Sequence, residues 1–153
     1  MPLNIVLIEP EIPMNTGNIG RLSLAVGAKL HLVKPFGFEL DDKRLKRAGL
    51  DYWKYVDLEM YESTEEFFVK QKDKKMALFS SHAERGFWDL EFKDDMFLIF
   101  GKESVGLSEK IIKANSENLF KIPIHSTHIR SLNLANAVSV VMYEGIRQLG
   151  SGG

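Results

Sequence analysis

Met96-Phe97-Leu98-Ile99-Phe100 is apolar at every position and stops abruptly at Gly101. A strand with one wet face alternates apolar and polar residues. A strand apolar throughout needs cover on both faces, as in the middle of a parallel sheet. Leu3-Asn4-Ile5-Val6-Leu7-Ile8 has nearly the same character and reads as a buried first strand. Leu30–Val33, Met76–Phe79 and Leu119–Ile122 read as further strands, and Val56–Met60 as a short one. Helical signals fall between them. Pro10 and Pro13 break regular structure, and Asn15 or Thr16 then caps a helix ending at Gly27. A second helix starts at Asp41 or Asp42 and stops at Gly49. Ser63 and Glu66 form a capping-box pair for a helix to about Gln71, and Ser108 caps one to about Ala114. The last helix runs from about Leu132 to Leu149. Such alternation predicts an α/β fold with a mainly parallel sheet flanked by helices. The 153 residues suit one domain, 1–150, with 151–153 as a flexible tail.

Composition excludes several classes. No apolar run approaches the roughly 20 residues that span a bilayer, so no membrane partner is expected. Met1-Pro2-Leu3-Asn4 lacks the basic and apolar regions of a signal peptide, which makes a cytoplasmic location the default. The absence of cysteine excludes disulfides, thiolate chemistry and cysteine-ligated zinc. A net charge of −1 is unlike a dedicated DNA-binding domain, and no DNA partner is expected. Charge is nonetheless uneven: Lys43, Arg44, Lys46 and Arg47 are four cations in five positions. They read either as a solvated helix face or as a phosphate-contacting patch.

Three stretches put glycines and small amides after strand-like runs: Asn15 to Arg21, Phe100 to Leu107, and Lys121 to Ile124 with Arg130 to Ala137. Glycine lets a ligand come close to the backbone, so these stretches predict one site built mostly of main chain. Common cofactor signatures are absent. Gly17 and Gly20 give only G-x-x-G, and no P-loop or G-x-S-x-G elbow occurs. Ser80, Ser81, Ser104 and Ser131 therefore have no triad argument. His125 and His128 stand three apart without further ligands, and no metal is expected. His31 and His82 are isolated and read as structural or surface residues.

The last helix carries an apolar stripe of Leu132, Ala135, Val138, Met142, Ile146 and Leu149, with Leu134, Val140 and Val141 off that stripe. A helix apolar on more than one side needs cover on more than one side. The sheet supplies one cover and a second subunit the other, which predicts a homodimer. Gly145 costs that helix about 1 kcal/mol relative to alanine, and close approach of a neighbouring helix is the expected compensation.

With these residues in view, the chain resembles the SPOUT superfamily of RNA methyltransferases, most closely its minimal tRNA wobble-nucleotide ribose 2′-O-methyltransferases. N-T-G-N-I-G-R at Asn15 to Arg21 matches a first motif, and F-G-x-E-x-x-G-L at Phe100 to Leu107 a second. I-P followed by R-S-L-N-L-A-N-A-V-S-V-V-M-Y-E, from Ile122 to Glu144, matches a third. The stretch from Asp41 to Tyr52 is similar to one typical of the wobble subgroup. The likeness spans nearly the whole chain, with the motifs in order.

The resemblance implies a C-terminal deep trefoil knot, a dimer-interface active site and S-adenosyl-L-methionine as methyl donor. It implies a donor site of Leu78, Gly101, Ile122 and Ser131, with Phe79, Ser80, Glu103, Leu107, Ile124 and Leu132 as neighbours. It makes Arg21 the catalytic candidate, orienting phosphate because arginine stays protonated; Glu103 and Asn133 shape the site. Glu103 can bond loop amides or act as a base, the former being favoured. The implied partner is the tRNA anticodon loop, with Lys43, Arg44, Lys46, Arg47, Arg130 and Tyr143 as RNA contacts. His82 departs from the subgroup, which often has lysine there, so a cationic contact becomes pH-dependent. Ribose methylation at another tRNA site or on ribosomal RNA, or a non-catalytic RNA-binding dimer, would share these motifs; the stretch from Asp41 to Tyr52 favours the wobble position.

Overall fold

The computed structural model describes residues 2–38 and 51–150. In chain order it contains β1 (Asn4–Ile8), α1 (Pro13–Val26), β2 (Lys29–Val33), β3 (Leu58–Tyr61), α2 (Thr64–Lys70), β4 (Met76–Phe79), β5 (Phe97–Phe100), α3 (Glu109–Ala114), β6 (Leu119–Phe120) and α4 (Leu134–Gln148). The strands form one sheet in the order β3-β2-β1-β5-β4-β6, and every pairing is parallel. The predicted basic helix, with Lys43, Arg44, Lys46 and Arg47, and the predicted tail 151–153 lie outside the described residues.

Alternation along each strand divides the core. Ile5, Leu7, Leu30, Leu32, Leu98 and Phe100 face a layer that includes Ile19 of α1 and Val138, Val141 and Met142 of α4. Val6, Ile8, Val33, Leu78 and Ile99 face the other layer, with Phe67 of α2 and Ile111 of α3. The inner strands are thus covered on both faces, as their apolar runs require. Among the described residues no helix is long and apolar enough to cross a membrane.

Local signals explain most boundaries, and the exceptions have physical causes. Gly27 ends α1 in the left-handed conformation at φ 68°, as its glycine allows. The same helix starts earlier than Asn15: Pro13 occupies its first turn instead of breaking it, because the missing N–H is unneeded there. Consequently Gly17 and Gly20 lie inside a helix, not in a ligand loop. At α2 the Ser63 hydroxyl accepts from Glu66 N–H, but the Glu66 carboxylate accepts from Glu62 N–H, one residue before the expected partner. α4 begins after Leu132, capped by the Asn133 side chain accepting from Asn136 N–H.

Gly145 has a different cause from the one expected. A Cβ there would lie 2.7 Å from Phe92 Cδ2 and 2.8 Å from Leu3 Cδ1. Side chains of the same chain, not a neighbouring helix, exclude a larger residue.

Candidate active site at the carboxyl ends of the strands

Strand order reverses between β1, which continues toward β2, and β5, which continues toward β4. Open parallel sheets place their crevice outside the carboxyl ends at such a reversal. Leu7 and Phe79 both pair with Phe100, and Phe79 with Phe120, so the strands end at one level. A cleft of ≈ 860 Å³ opens just beyond. Phe79 and Phe100 form its floor, their rings stacked at 5.0 Å. The loops after β4 and β5 and the irregular chain between β6 and α4 supply its walls.

The cleft gathers Phe79, Ser80, Gly101, Glu103, Ile122, Ile124, Ser131 and Leu132, together with Arg130 and Asn133. Leu78 and Leu107 do not line it; both are core residues of the opposite layer. Arg21 is exposed on α1 and Tyr143 on α4, both outside the lining.

Gly101 is needed by the loop itself. A Cβ there would overlap the backbone of Gly106 and Leu107, so the β5 loop folds back against its own start. Gly106 N–H donates to Lys102 carbonyl at 2.8 Å, with Gly106 at φ 72°, where glycine is strongly preferred. Gly101 thus meets a need of its own loop as well as lining the cleft.

The Glu103 carboxylate joins the loops after β5 and β1. It accepts from Glu11 N–H at 2.7 Å, Ile12 N–H at 3.0 Å and Asn15 Nδ2 at 3.1 Å. Glu11 returns the interaction, accepting from Ser104 N–H at 2.7 Å and its hydroxyl at 2.9 Å. These bonds hold the Glu11 carboxyl below its usual range. Asn15 then accepts from Asn133 Nδ2 at 3.2 Å, which ties the start of α4 to the same network. All three sequence motifs are therefore joined by side-chain hydrogen bonds around the cleft mouth. Sequence reasoning misses Glu11 and Asn15 as connectors. Both contacts span about ninety residues of chain, and nothing local to either position signals them.

Outside the cleft, Arg21 lies against Tyr52, its Cζ 5.7 Å from the ring centroid. Tyr52 donates its hydroxyl to the Gly17 carbonyl at 3.1 Å. Trp53 packs where Gly20 lacks a side chain; a Cβ there would lie 2.8 Å from Trp53 Cε3.

Residues 2–143 match the model of the SpoU rRNA Methylase family. A Listeria innocua protein provisionally named a tRNA (cytidine(34)-2′-O)-methyltransferase is 46% identical over 151 residues, covering 97% of this chain and 89% of its own. A Saccharophagus degradans protein named tRNA (cytidine(34)-2′-O)-methyltransferase is 42% identical over 151 residues, covering 98% and 97%. Among solved structures, one of a protein studied for 2-OH methylation of C/U34 on tRNA superposes with a TM-score of 0.89 at 42% identity, covering 97% of each chain. The α/β architecture and the ordered motifs thus have one source: the chain belongs to the SpoU methylase family.

Proposed function

We propose that this protein transfers a methyl group from S-adenosylmethionine to the ribose 2′-hydroxyl of the wobble nucleotide, position 34, in the tRNA anticodon loop. The observation that carries this reading is the cleft. Eight residues that the resemblance assigns to the donor site line one cavity, in a chain 42% identical to a tRNA (cytidine(34)-2′-O)-methyltransferase over nearly its full length. The family description speaks of rRNA; the full-length relatives named above favour tRNA.

The residues present fit a sulfonium nucleoside. The cavity volume is in the range that takes such ligands. Phe79, Ile122, Ile124 and Leu132 offer apolar walls for a purine, while Ser80, Ser131 and the turns of main chain offer polar partners. When bound, the donor supplies an electrophilic methyl carbon. Glu103 holds the mouth of the cleft rather than abstracting a proton, since both its oxygens accept hydrogen bonds from the β1–α1 segment. Asn133 fixes where α4 starts relative to Asn15.

Arg21 and Tyr143 stand outside the cleft of their own subunit, on exposed parts of α1 and α4. A homodimer that covers these helices gives both a role beside RNA and the active site. Val140 and Tyr143 of α4, 42% and 55% exposed, support that cover. Arg21 then pairs with an RNA phosphate, and Arg130 at the cleft mouth with another. Lys43, Arg44, Lys46 and Arg47 extend the phosphate contacts. The proposed fold includes the C-terminal trefoil knot of the resembling superfamily. Residues 1–150 act as one catalytic domain in the cytoplasm.

The test is transfer of label from methyl-labelled S-adenosylmethionine to unfractionated tRNA, followed by digestion and mass spectrometry. The expected product is 2′-O-methylated cytidine or uridine at position 34. Label at another nucleotide, or donor binding without transfer to any RNA, rejects the assignment.

A further inference from the structure

We propose that Tyr52 is a positioning residue that holds the Arg21 guanidinium in place for the acceptor RNA; this rests on the reading of Arg21 as the phosphate-gripping side chain. A long, exposed arginine such as Arg21 is costly to hold in one place. Its side chain has many rotamers, and each must be excluded before it can grip a phosphate in one geometry. Arg21 has no carboxylate partner among the ion pairs of the described residues. Its guanidinium instead lies over the Tyr52 ring, 5.7 Å from the centroid. An aromatic face narrows the orientations of a cation without neutralising it, so the charge stays available to a phosphate.

Tyr52 is itself fixed. Its hydroxyl donates to the carbonyl of Gly17. That carbonyl lies one helical turn before Arg21 and is the regular helical partner of the Arg21 N–H. Ring and hydroxyl thus reference the guanidinium to the helix that carries it. The next residue, Trp53, is buried against Gly20 and locks the segment along α1. Burial holds the Tyr52 phenol above its ordinary value, although Arg21 pulls the other way, so it remains a neutral donor.

The test is a double-mutant cycle on methyl transfer to tRNA, with donor affinity measured separately. Tyr52→Leu should lower kcat about two- to five-fold, the range of an exposed cation–ring contact, and leave donor Kd unchanged. In an Arg21→Ala background the same change should have no further effect, and Tyr52→Phe should restore most of the rate to the Leu variant's position. Loss of the same factor in both backgrounds overturns the proposal, because a merely structural tyrosine would act in either. A second measurement does not depend on turnover or on the folding of a variant. In the wild type, the Arg21 side-chain protons should be shifted upfield in the NMR spectrum by the ring current. Arg21 signals at ordinary positions overturn the proposal. A wild type that transfers methyl to no RNA instead removes the proposed function, and this role for Tyr52 with it.

Discussion

Glu103 and Glu11 hold each other's loops: each carboxylate accepts the backbone N–H beside the other, Glu103 from Glu11 and Glu11 from Ser104, both at 2.7 Å. Each carboxylate is held by main-chain and side-chain donors, and at Glu11 the Lys102 charge adds a smaller aid. Replacing one carboxylate oxygen with an amide group turns an acceptor into a donor facing other donors. Glu103→Gln should therefore cost about 1–3 kcal/mol of stability. It should also weaken donor binding, since the loop lines the cleft. Urea unfolding and calorimetric titration with S-adenosylmethionine check both effects. Unchanged donor affinity would show that the clasp does not shape the cleft.

Arg21 stands apart from the cleft lining, so its removal should spare the donor. Arg21→Ala is expected to reduce kcat about a hundred-fold, the scale of losing one well-placed electrostatic group. Donor Kd should stay within about two-fold of wild type. Single-turnover transfer and equilibrium titration separate these quantities, and equal losses in both would remove the assigned role.

Acid should weaken the fold through His31. This ring is buried, with Nδ1 2.7 Å from the Tyr61 hydroxyl and Nε2 2.9 Å from Asn4 Oδ1. Asn4 Nδ2 donates to Asp95, so its Oδ1 takes the Nε2 proton and Nδ1 accepts from tyrosine. Burial, aided by the Lys29 charge, lowers the His31 pKa to about 4. The unfolded chain gains the proton near pH 6.5 and the folded one only near 4. Stability is thus full above that window and falls as pH drops through it, by up to about 3 kcal/mol. Unfolding free energies measured across the window should show the slope, and a His31→Gln variant should flatten it.

Gly145→Ala should destabilise despite improving helix propensity. The gain of about 1 kcal/mol in the helix is smaller than the cost of driving a methyl into Phe92 and Leu3, about 1–3 kcal/mol for overpacking. Thermal unfolding should show a lowered midpoint. A raised midpoint would mean that Phe92 and Leu3 yield freely.

The proposed dimer predicts a sharp response at Val140. Val140→Asp places a charge on the outward side of α4 and leaves Val138, Val141 and Met142 in the core untouched. Light scattering should find the wild type dimeric and the variant monomeric, with circular dichroism unchanged. A dimer that survives the substitution would move the interface elsewhere.

The layer structure was legible because apolar runs such as Phe97–Phe100 permit no other environment. Caps were legible where one side chain meets one nearby amide, as at Ser63 and Ser108. What failed was anything set by distant contacts. Gly20 carries the same letter as a ligand-contacting glycine, yet the far-off Trp53 is what excludes its Cβ; Gly101, which lines the cleft, is also required by the fold of its own loop against Gly106. The cleft lining was largely legible through motif resemblance, but Leu78 and Leu107 turn toward the opposite layer. Strand alternation already assigns Leu78 to the side away from Phe79.

The place of α4 has a consequence for how the protein matures during synthesis. β1 precedes the other strands of the sheet in chain order, yet it lies between β2 and β5, and Leu3 and Phe92 shelter under Gly145 in α4, the last element of the fold described. A nascent polypeptide still short of α4 leaves that greasy surface bare, and the wall formed by Ser131, Leu132 and Asn133 unbuilt. The cleft is therefore complete only after α4 has been made, late in the order of these elements.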